Sequence, residues 1–385
     1  MNGNYELFGD IILIDSTYRV NHYNIPLIVY SGINAKGHNV IFALALVNDE
    51  SEATHRWCLK EFFHLHLKYP KVCITDQDLA LMTLLDKDYP QITHFLCQWH
   101  IKQNFKKHCS YLQTMNLKET YDKILALPFL KKPEDFESEY EAVISLLKSK
   151  KFTKSFEYLG SVYKKKLKWA SCYTPQIFTA GIHTTSRIES VNALIKSYVN
   201  SNSEVSDLFD FIIAFEEREF LKIQNEELKK NEETHPLMKE LRSKLSQQIF
   251  NLHLEQNTLS YRYLISPNEL NPPNRETQDV FFKVKSMDSK DENHFRLVKF
   301  INGDYSCECE TFLQCGIICR HIFYVSHMHQ EKDLSNLQIH PRWLIQDDAK
   351  AKSLKELFGD LIKETKIQNE GKEEESKQIN EDGSI

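Results

Sequence analysis

The chain has 385 residues, of which 41% are hydrophobic and 11% aromatic, so it has enough apolar material for two or three folded domains. No apolar run approaches the roughly 20 residues that a membrane helix needs, and the first residues lack a basic and apolar signal segment. The sequence therefore predicts a soluble, intracellular protein with no membrane partner. The net charge of −6 does not by itself indicate nucleic-acid binding.

The first strong pattern is the apolar run at residues 11–14, which predicts a strand buried on both faces. Asp15 follows it directly, where a sheet opens to solvent. Residues 25–30 and 40–47 are β-rich and are separated by turn residues. Three successive strands predict an antiparallel start to a sheet.

Helices and strands then alternate. The patterns predict a helix over residues 51–69, a strand over 71–75, a helix over 78–89, a strand over 93–97 and a helix over 99–108. This order is that of a ribonuclease-H-like fold, a mixed α/β sheet with helices on both faces. A crossover helix places the fourth strand parallel to the first. Asp76, which ends the fourth strand, is thus predicted to lie beside Asp15.

Residues 111–182 have helical patterns and interrupt this domain. Between positions 148 and 168 there are eight lysines and one acid, so a basic surface could neutralise backbone phosphates. The candidate nucleic-acid residues are Lys164, Lys165, Lys166 and Lys168. A solvated helix face explains the same composition equally well.

A helix predicted over residues 184–200 carries a third acid, Glu189, with Asn192 three residues later on the same side. If this helix reaches the sheet edge, Asp15, Asp76 and Glu189 form an oxygen site for Mg²⁺ or Mn²⁺, as two-metal phosphodiester chemistry requires. The alternative is that the aspartates cap turns and that Glu189 is a charge on a helix face.

The C-terminal part begins with further helices, at 205–225 and 237–251, and a proline-containing linker at 271–274. Strands are predicted over 280–285 and 294–300, and a last helix over 354–362. The predicted domains are a ribonuclease-H-like part at 1–110, a helical insertion at 111–182, the catalytic domain's C-terminal helices at 183–225, a helical connector and linker at 226–275, a zinc finger at 276–330, a short helical extension at 331–363 and a disordered tail at 364–385.

Four residues of the finger have metal-ligand spacing. Cys307 and Cys309 are separated by nine residues from Cys319, and His321 follows, which suits tetrahedral Zn²⁺ in a closed structural site. Cys315 lies near the apex of the intervening loop and is left out. The remaining cysteines are interpreted as buried thiols in a reducing compartment.

Five motifs in chain order resemble the Mutator-like element (MULE) transposases and the related far-red-impaired-response proteins, over roughly residues 5–345. They are Asp15-Ser16-Thr17-Tyr18-x-x-Asn21, Thr75-Asp76-Gln77-Asp78-Leu79-Ala80-Leu81, Cys97-Gln98-Trp99-His100-Ile101-x-x-Asn104, Arg187-Ile188-Glu189-Ser190-Val191-Asn192, and the cysteine cluster, which resembles a SWIM-type zinc finger. One departure is Ser16, where these transposases usually have glycine.

The resemblance implies a DDE-type catalytic triad of Asp15, Asp76 and Glu189 that holds two Mg²⁺ ions for DNA strand cleavage and transfer. It also implies DNA as the partner, no small-molecule substrate and a nuclear location, and it leaves self-association open. The rival is a domesticated, non-enzymatic DNA-binding transcriptional regulator. A ribonuclease acting on RNA–DNA hybrids shares the fold but does not explain the finger.

The Cys97 and His100 pair matches a Cys-x-x-His motif that recurs in these transposases. Two ligands make an incomplete metal site, so a structural or DNA-positioning role is favoured. These relatives often carry an N-terminal zinc-bearing DNA-binding domain, whereas this sequence begins close to the first catalytic strand. Recognition of the DNA ends is therefore expected to fall to the finger and the lysine cluster, or the chain is a truncated transposase.

Overall fold

The structure is a computed structural model, and it describes residues 2–17, 25–174, 177–182, 186–199, 202–228, 236–265, 280–288, 295–301, 304–328 and 339–344. The predictions for Asn21, the linker, the helix at 354–362 and the tail at 364–385 lie outside these residues. No helix in the described ranges is both long and apolar enough to cross a bilayer.

The predicted mixed α/β class is confirmed. The described strands are β1 Ile11–Thr17, β2 Leu27–Ile33, β3 Asn39–Leu46, β4 Val72–Thr75, β5 Thr93–Leu96, β6 Tyr263–Ile265, β7 Val280–Ser286, β8 Arg296–Ile301 and β9 Asp304–Cys307. The described helices are α1 Asn2–Phe8, α2 Glu52–His66, α3 Leu79–Asp88, α4 Gln98–Cys109, α5 Lys118–Ala126, α6 Pro133–Ser149, α7 Thr153–Tyr163, α8 Ser186–Tyr198, α9 Val205–Leu228, α10 Pro236–Lys244, α11 Gln247–Ser260, α12 Glu310–Leu313 and α13 Arg320–Met328.

The first sheet has the strand order β3-β2-β1-β4-β5. The pairs β3/β2 and β2/β1 are antiparallel, whereas β1/β4 and β4/β5 are parallel. This is the ribonuclease-H-like arrangement that the element order predicts. The α2 crossover brings β4 back beside β1, because a connection between parallel strands must return along the sheet.

Strand β1 is buried on both faces, as its apolar run predicts. Ile12 and Ile14 pack into a cluster with side chains of α1, α2 and α3, while Ile11 and Leu13 point to the opposite face. Burying one such side chain stabilises the fold by about 1.5–3 kcal/mol. The centre of the sheet is thus fixed by a strand whose side chains all contribute to a core.

The helices α5, α6 and α7 form their own core with α4, built around Phe136 and Trp169. Gln98, at the start of α4, joins this core to the sheet because its Nε2 donates to the carbonyl of Trp169 at 2.9 Å and to the hydroxyl of Ser171 at 2.9 Å. The predicted insertion therefore packs against the end of the first sheet.

The second sheet, β6-β7-β8-β9, is antiparallel throughout and packs against α13. Its core is continuous with one face of the first sheet, since Phe282 and Cys319 belong to the same buried cluster as Ile11 and Ile74. The helix predicted over 237–251 is two helices, because the hydroxyl of Ser246 caps α11 by accepting from the backbone N–H of Ile249 at 3.3 Å.

A short segment at residues 339–344 ties the finger to the start of the first sheet. The guanidinium of Arg342 is 7% exposed, donates to the carbonyls of Phe8 and Ile33, and lies 3.2 Å from the carboxylate of Asp10. A buried arginine needs this many acceptors, because an unpaired buried charge is strongly destabilising.

Because His94 on β5 is buried, we expect the fold to lose stability at acidic pH. Burial lowers its pKa from 6.5 to about 4, helped by the charge of Lys168 and opposed by Asp86, while its Nε2 hydrogen-bonds the Thr75 hydroxyl at 2.9 Å. As pH falls, the unfolded chain binds a proton at His94 before the folded chain does. The free energy of unfolding therefore decreases as pH falls from 6.5 towards 4, by up to roughly 3 kcal/mol.

Chemical denaturation at pH 7 and pH 5 checks this expectation. His94→Gln should lose less stability between the two pH values than the unmodified chain, whereas a change at the exposed His64 should leave the pH dependence unaltered. An identical pH slope in His94→Gln would show that another group carries the acid sensitivity.

Candidate active site and metal centre

The two aspartates of the predicted triad belong to neighbouring strands, but only Asp76 directly follows its strand, β4. Asp15 lies within β1, which continues to Thr17 through pairing with β2, so the predicted strand end at Asp15 is wrong. The parallel register of β1 and β4 pairs Leu13 with Ile74 and Ile14 with Thr75, and Asp15 and Asp76 are the residues that follow the last of these pairs. Leu13 and Ile74 point to the same face of the sheet. Because side chains alternate along a strand, the continued register puts both carboxylates on that same face.

Helix α8 packs across this face at the Asp15 end of β1. Val191 and Ile195 lie in a buried cluster with Val29 of β2. The side-chain Nδ2 of Asn192 donates to Oδ2 of Asp15 at 2.7 Å, and Asp15 itself is 8% exposed. The helix that carries the third predicted acid is therefore fixed to the first one.

Glu189 lies in α8, whose backbone is described at this position while the side chain lies outside the described part of the chain. It precedes Asn192 by three residues, which places it on the same side of the helix and about 4.5 Å along the axis. Convergence of the Glu189 carboxylate with the two aspartates stays a prediction.

Asp76 is held by the turn that follows β4. Its Oδ1 accepts from the backbone N–H of Asp78 at 3.0 Å. Burial raises the pKa of the Asp76 carboxyl, and the nearby His100 opposes that shift. A desolvated carboxylate favours a cation beside it, since a bound charge offsets the cost of burial.

The four predicted zinc ligands lie together. One ligand atom from each of Cys307, Cys309, Cys319 and His321 lies within 4.8 Å of the others, and all four residues are buried. Among the described residues this is the one group of three or more such side chains arranged to hold a metal ion. The spacing in the sequence thus reflects a real cluster, which β9 and the start of α13 position.

The donor set fits a tetrahedral zinc ion. With Zn–S near 2.3 Å and Zn–N near 2.0–2.1 Å, a sulfur and a nitrogen ligand should lie about 3.6 Å apart. The observed distance between Cys307 Sγ and His321 Nδ1 is 3.7 Å. Burial raises the pKa of the Cys319 thiol well above its ordinary value, so a bound cation is needed to favour its thiolate.

The family profile described as the MULE transposase domain matches residues 11–104, which run from β1 to the middle of α4 and include both aspartates. Residues 11–104 form a MULE transposase domain. The five motifs in the sequence had pointed to the same family.

The similar curated proteins come from Arabidopsis thaliana. Protein FAR1-RELATED SEQUENCE 5 is 24% identical over 356 residues, which cover 87% of this chain and 42% of that protein. Protein FAR-RED IMPAIRED RESPONSE 1 is 23% identical over 373 residues, which cover 94% and 43%. The predicted relationship to these proteins is confirmed, although the chain spans under half of their length.

A solved structure, the HTLV-2 integrase catalytic core domain in complex with magnesium, is also similar. It is 15% identical and covers 31% of this chain and 86% of its own, with a TM-score of 0.17. The ribonuclease-H-like assignment of the MULE domain rests instead on the order and directions of β1 to β5.

Within the MULE domain, Cys97 and His100 both lie at the start of α4. Cys97 is the N-cap of α4, and its sulfur accepts from the backbone N–H of His100 at 3.4 Å. Burial lowers the pKa of His100, and the charge of the nearby Asp76 opposes that shift. The pair therefore starts α4 beside Asp76, in keeping with the structural or positioning role that the sequence favours.

A contact between two MULE motifs was not predicted. Nδ2 of Asn104 on α4 donates to Oε1 of Gln77 at 2.5 Å, and the Tyr158 hydroxyl reaches the same oxygen at 3.3 Å. Gln77 directly follows Asp76, so this contact steadies the turn that carries the carboxylate. The signal was present, because both residues stand in the motifs that carry the resemblance.

The four candidate lysines, Lys164, Lys165, Lys166 and Lys168, do not form one free basic surface. Lys166 pairs with Glu137 at 2.5 Å, and Lys168 pairs with Asp86, so both charges are compensated. Lys164 is exposed, and the Lys165 ammonium lies 4.0 Å from the Met82 sulfur. Three other lysines, Lys102, Lys106 and Lys107, lie on α4 with no acidic partner among the described residues.

Gly316 permits the loop between Cys309 and Cys319 to turn back. It has φ +63°, and an added Cβ would lie 2.8 Å from the Cβ of His340 and 2.8 Å from the ring of Phe178. We expect Gly316→Ala to destabilise the fold by about 1–3 kcal/mol through strain and crowding. Gly160 on α7 has open space around it, so Gly160→Ala should be neutral or slightly stabilising. Thermal denaturation of both variants measures the two effects.

Proposed function

We propose that this chain is a transposase-derived protein whose MULE domain carries a DDE-type site for DNA strand cleavage and transfer. The site consists of Asp15, Asp76 and Glu189. The observation that supports the proposal is the parallel register of β1 and β4, whose last pair immediately precedes Asp15 and Asp76, together with the hydrogen bond that joins α8 to Asp15 through Asn192. Carboxylates grouped at one sheet edge are the ligands that hard divalent cations prefer.

The chain's own residues would act mainly by positioning. Asp15 would offer an oxygen ligand from within β1, and Asp76 would offer one from the turn after β4. Asn192 orients the Asp15 carboxylate, and the Gln77–Asn104 contact holds the turn at Asp76. When bound, two Mg²⁺ or Mn²⁺ ions would supply activation of the attacking oxygen and charge stabilisation at the leaving oxygen.

We propose that DNA binds along α4. We expect the protein to act in the nucleus. This helix begins beside Asp76, contains no acid, and carries the three lysines that have no acidic partner in the described part of the chain. Lysines of this kind neutralise backbone phosphates and add a salt-dependent term to binding. We therefore favour α4 over the Lys164–Lys168 stretch as the main phosphate contact.

The catalytic unit in this proposal is formed by residues 1–110 and 183–225, interrupted by the insertion at 111–182. The support is the packing of α8 and α9 on β2 and β3. The finger at 276–330 would bind one structural Zn²⁺ through Cys307, Cys309, Cys319 and His321, and the convergence of these four residues supports that assignment.

The alternative is a domesticated, non-enzymatic DNA-binding regulator of the far-red-impaired-response type. The match to such proteins over 87–94% of the chain favours it. In that case the same fold would bind DNA without cleaving it.

Incubation of the zinc-loaded chain with supercoiled plasmid and Mg²⁺ or Mn²⁺ separates the two. The enzymatic proposal expects nicked and joined products that disappear when EDTA is added. Metal-independent retention of DNA in a filter-binding assay, with intact plasmid under every condition, would favour the regulator.

A further inference from the structure

The side-chain amide of Asn192 is only half satisfied, although it is 8% exposed. Its Nδ2 donates to Asp15 Oδ2 at 2.7 Å, while its Oδ1 is buried and has no hydrogen-bond partner within the described ranges. A buried polar atom without a partner costs about 1–3 kcal/mol. Buried polar atoms are rarely left so, which indicates that a group outside the described residues meets this oxygen.

The unpartnered oxygen lies close to the predicted metal ligands. The nitrogen and oxygen of one amide are about 2.3 Å apart, so Oδ1 of Asn192 lies within about 5 Å of Oδ2 of Asp15. Asp15 and Asp76 follow the last pair in the register of β1 and β4. The oxygen therefore lies near the Asp15 carboxylate, on the strand next to the one that Asp76 follows.

We infer that Oδ1 of Asn192 is an oxygen ligand of the divalent cation that Asp15 binds, an inference that rests on the proposed metal site. Amide carbonyl oxygens are ordinary ligands of hard cations. One side chain thus has two tasks: Nδ2 orients the Asp15 carboxylate, and Oδ1 contributes a neutral ligand. Helix α8 would supply the site with two groups, Glu189 and Asn192, one turn apart.

Two substitutions at this position should move metal affinity in opposite directions. Asn192→Asp replaces the amide by a carboxylate, which keeps an oxygen ligand and adds negative charge, so it should tighten Mn²⁺ binding about tenfold. Asn192→Leu removes the oxygen and should weaken Mn²⁺ binding about tenfold. Isothermal calorimetry with Mn²⁺ on the zinc-loaded full chain measures both. Ser197→Ala, at an exposed position on the same helix, is the matched control and should bind as the unmodified chain does.

Thermal denaturation gives a second readout. Without Mn²⁺, Asn192→Asp should melt lower than the unmodified chain, because two carboxylates would meet where a 2.7 Å hydrogen bond stood. Excess Mn²⁺ should remove that difference. A protein in which Asn192 only orients Asp15 would not show this metal-dependent recovery.

Equal weakening of Mn²⁺ binding by both substitutions would overturn the inference, because it would leave Asn192 with the orienting hydrogen bond alone. If Asn192→Asp fails to fold, unchanged Mn²⁺ affinity in Asn192→Leu overturns it as well. The proposed function fails separately, and visibly, if Asp15→Asn and Asp76→Asn bind Mn²⁺ as tightly as the unmodified chain.

Discussion

Asp76→Asn will reduce metal-dependent DNA strand cleavage at least about a thousandfold, equivalent to about 4 kcal/mol of transition-state stabilisation. The substitution removes one anionic ligand but keeps an oxygen that can accept from the backbone N–H of Asp78. The turn should therefore persist while the cation loses a charged ligand. Gel quantification of nicked plasmid at saturating Mn²⁺ measures the loss.

Asp78→Asn is the matched control. Asp78 lies two residues away in the same turn, and its carboxylate caps α3 by accepting from the backbone N–H of Leu81 at 2.7 Å. Asparagine is also a good N-cap, so cleavage should stay within a few-fold of the unmodified chain. Equal activity of Asp76→Asn and the unmodified chain would remove the basis for the enzymatic proposal.

Cys319→Ser will abolish stoichiometric zinc binding and will destabilise the first sheet as well as the finger. Structural zinc sites contribute about 10–16 kcal/mol of binding free energy in isolated fingers, so loss of one thiolate should cost several kcal/mol. Cys319 is fully buried in the same cluster as Ile11 and Ile74, which belong to β1 and β4. The damage should therefore spread beyond the ligand loop.

Zinc content by mass spectrometry, together with amide hydrogen exchange at β1 and β4, tests both parts. Cys315→Ser is the control, because Cys315 lies in the same loop but outside the four-ligand cluster, and should keep zinc and the exchange protection. If Cys319→Ser loses zinc while β1 and β4 remain as protected as before, the finger is an independent unit and the coupling is wrong.

Several features could be predicted because they depend on local patterns. The buried run ending at Asp15 and the short strand ending at Asp76 are readable as strands, and the rule for crossovers then makes them parallel neighbours. The cluster of Cys307, Cys309, Cys319 and His321 was predicted from spacing, because a tetrahedral metal site needs four ligands close together in space.

Other features were missed or read too broadly. The apolar pattern that predicts a helix over residues 51–69 includes Trp57, Leu65 and Leu67, yet these side chains are 58%, 66% and 88% exposed. Helix α2 ends at His66, before the predicted end, because Leu67 takes a left-handed conformation with φ 51°. A pattern shows which residues are apolar, but not which of them meet another surface.

The sequence by itself determined the order of β1 to β5, the position of Asp76 directly after β4, and the cluster of Cys307, Cys309, Cys319 and His321. Each follows from a short-range rule on periodicity, connection or ligand spacing. Only the tertiary structure showed that the finger shares a core with the first sheet, that Asn192 reaches Asp15, and that Lys166 and Lys168 are paired with acids. Those contacts join residues distant in the chain, and their partners depend on how whole layers pack, which no local pattern records.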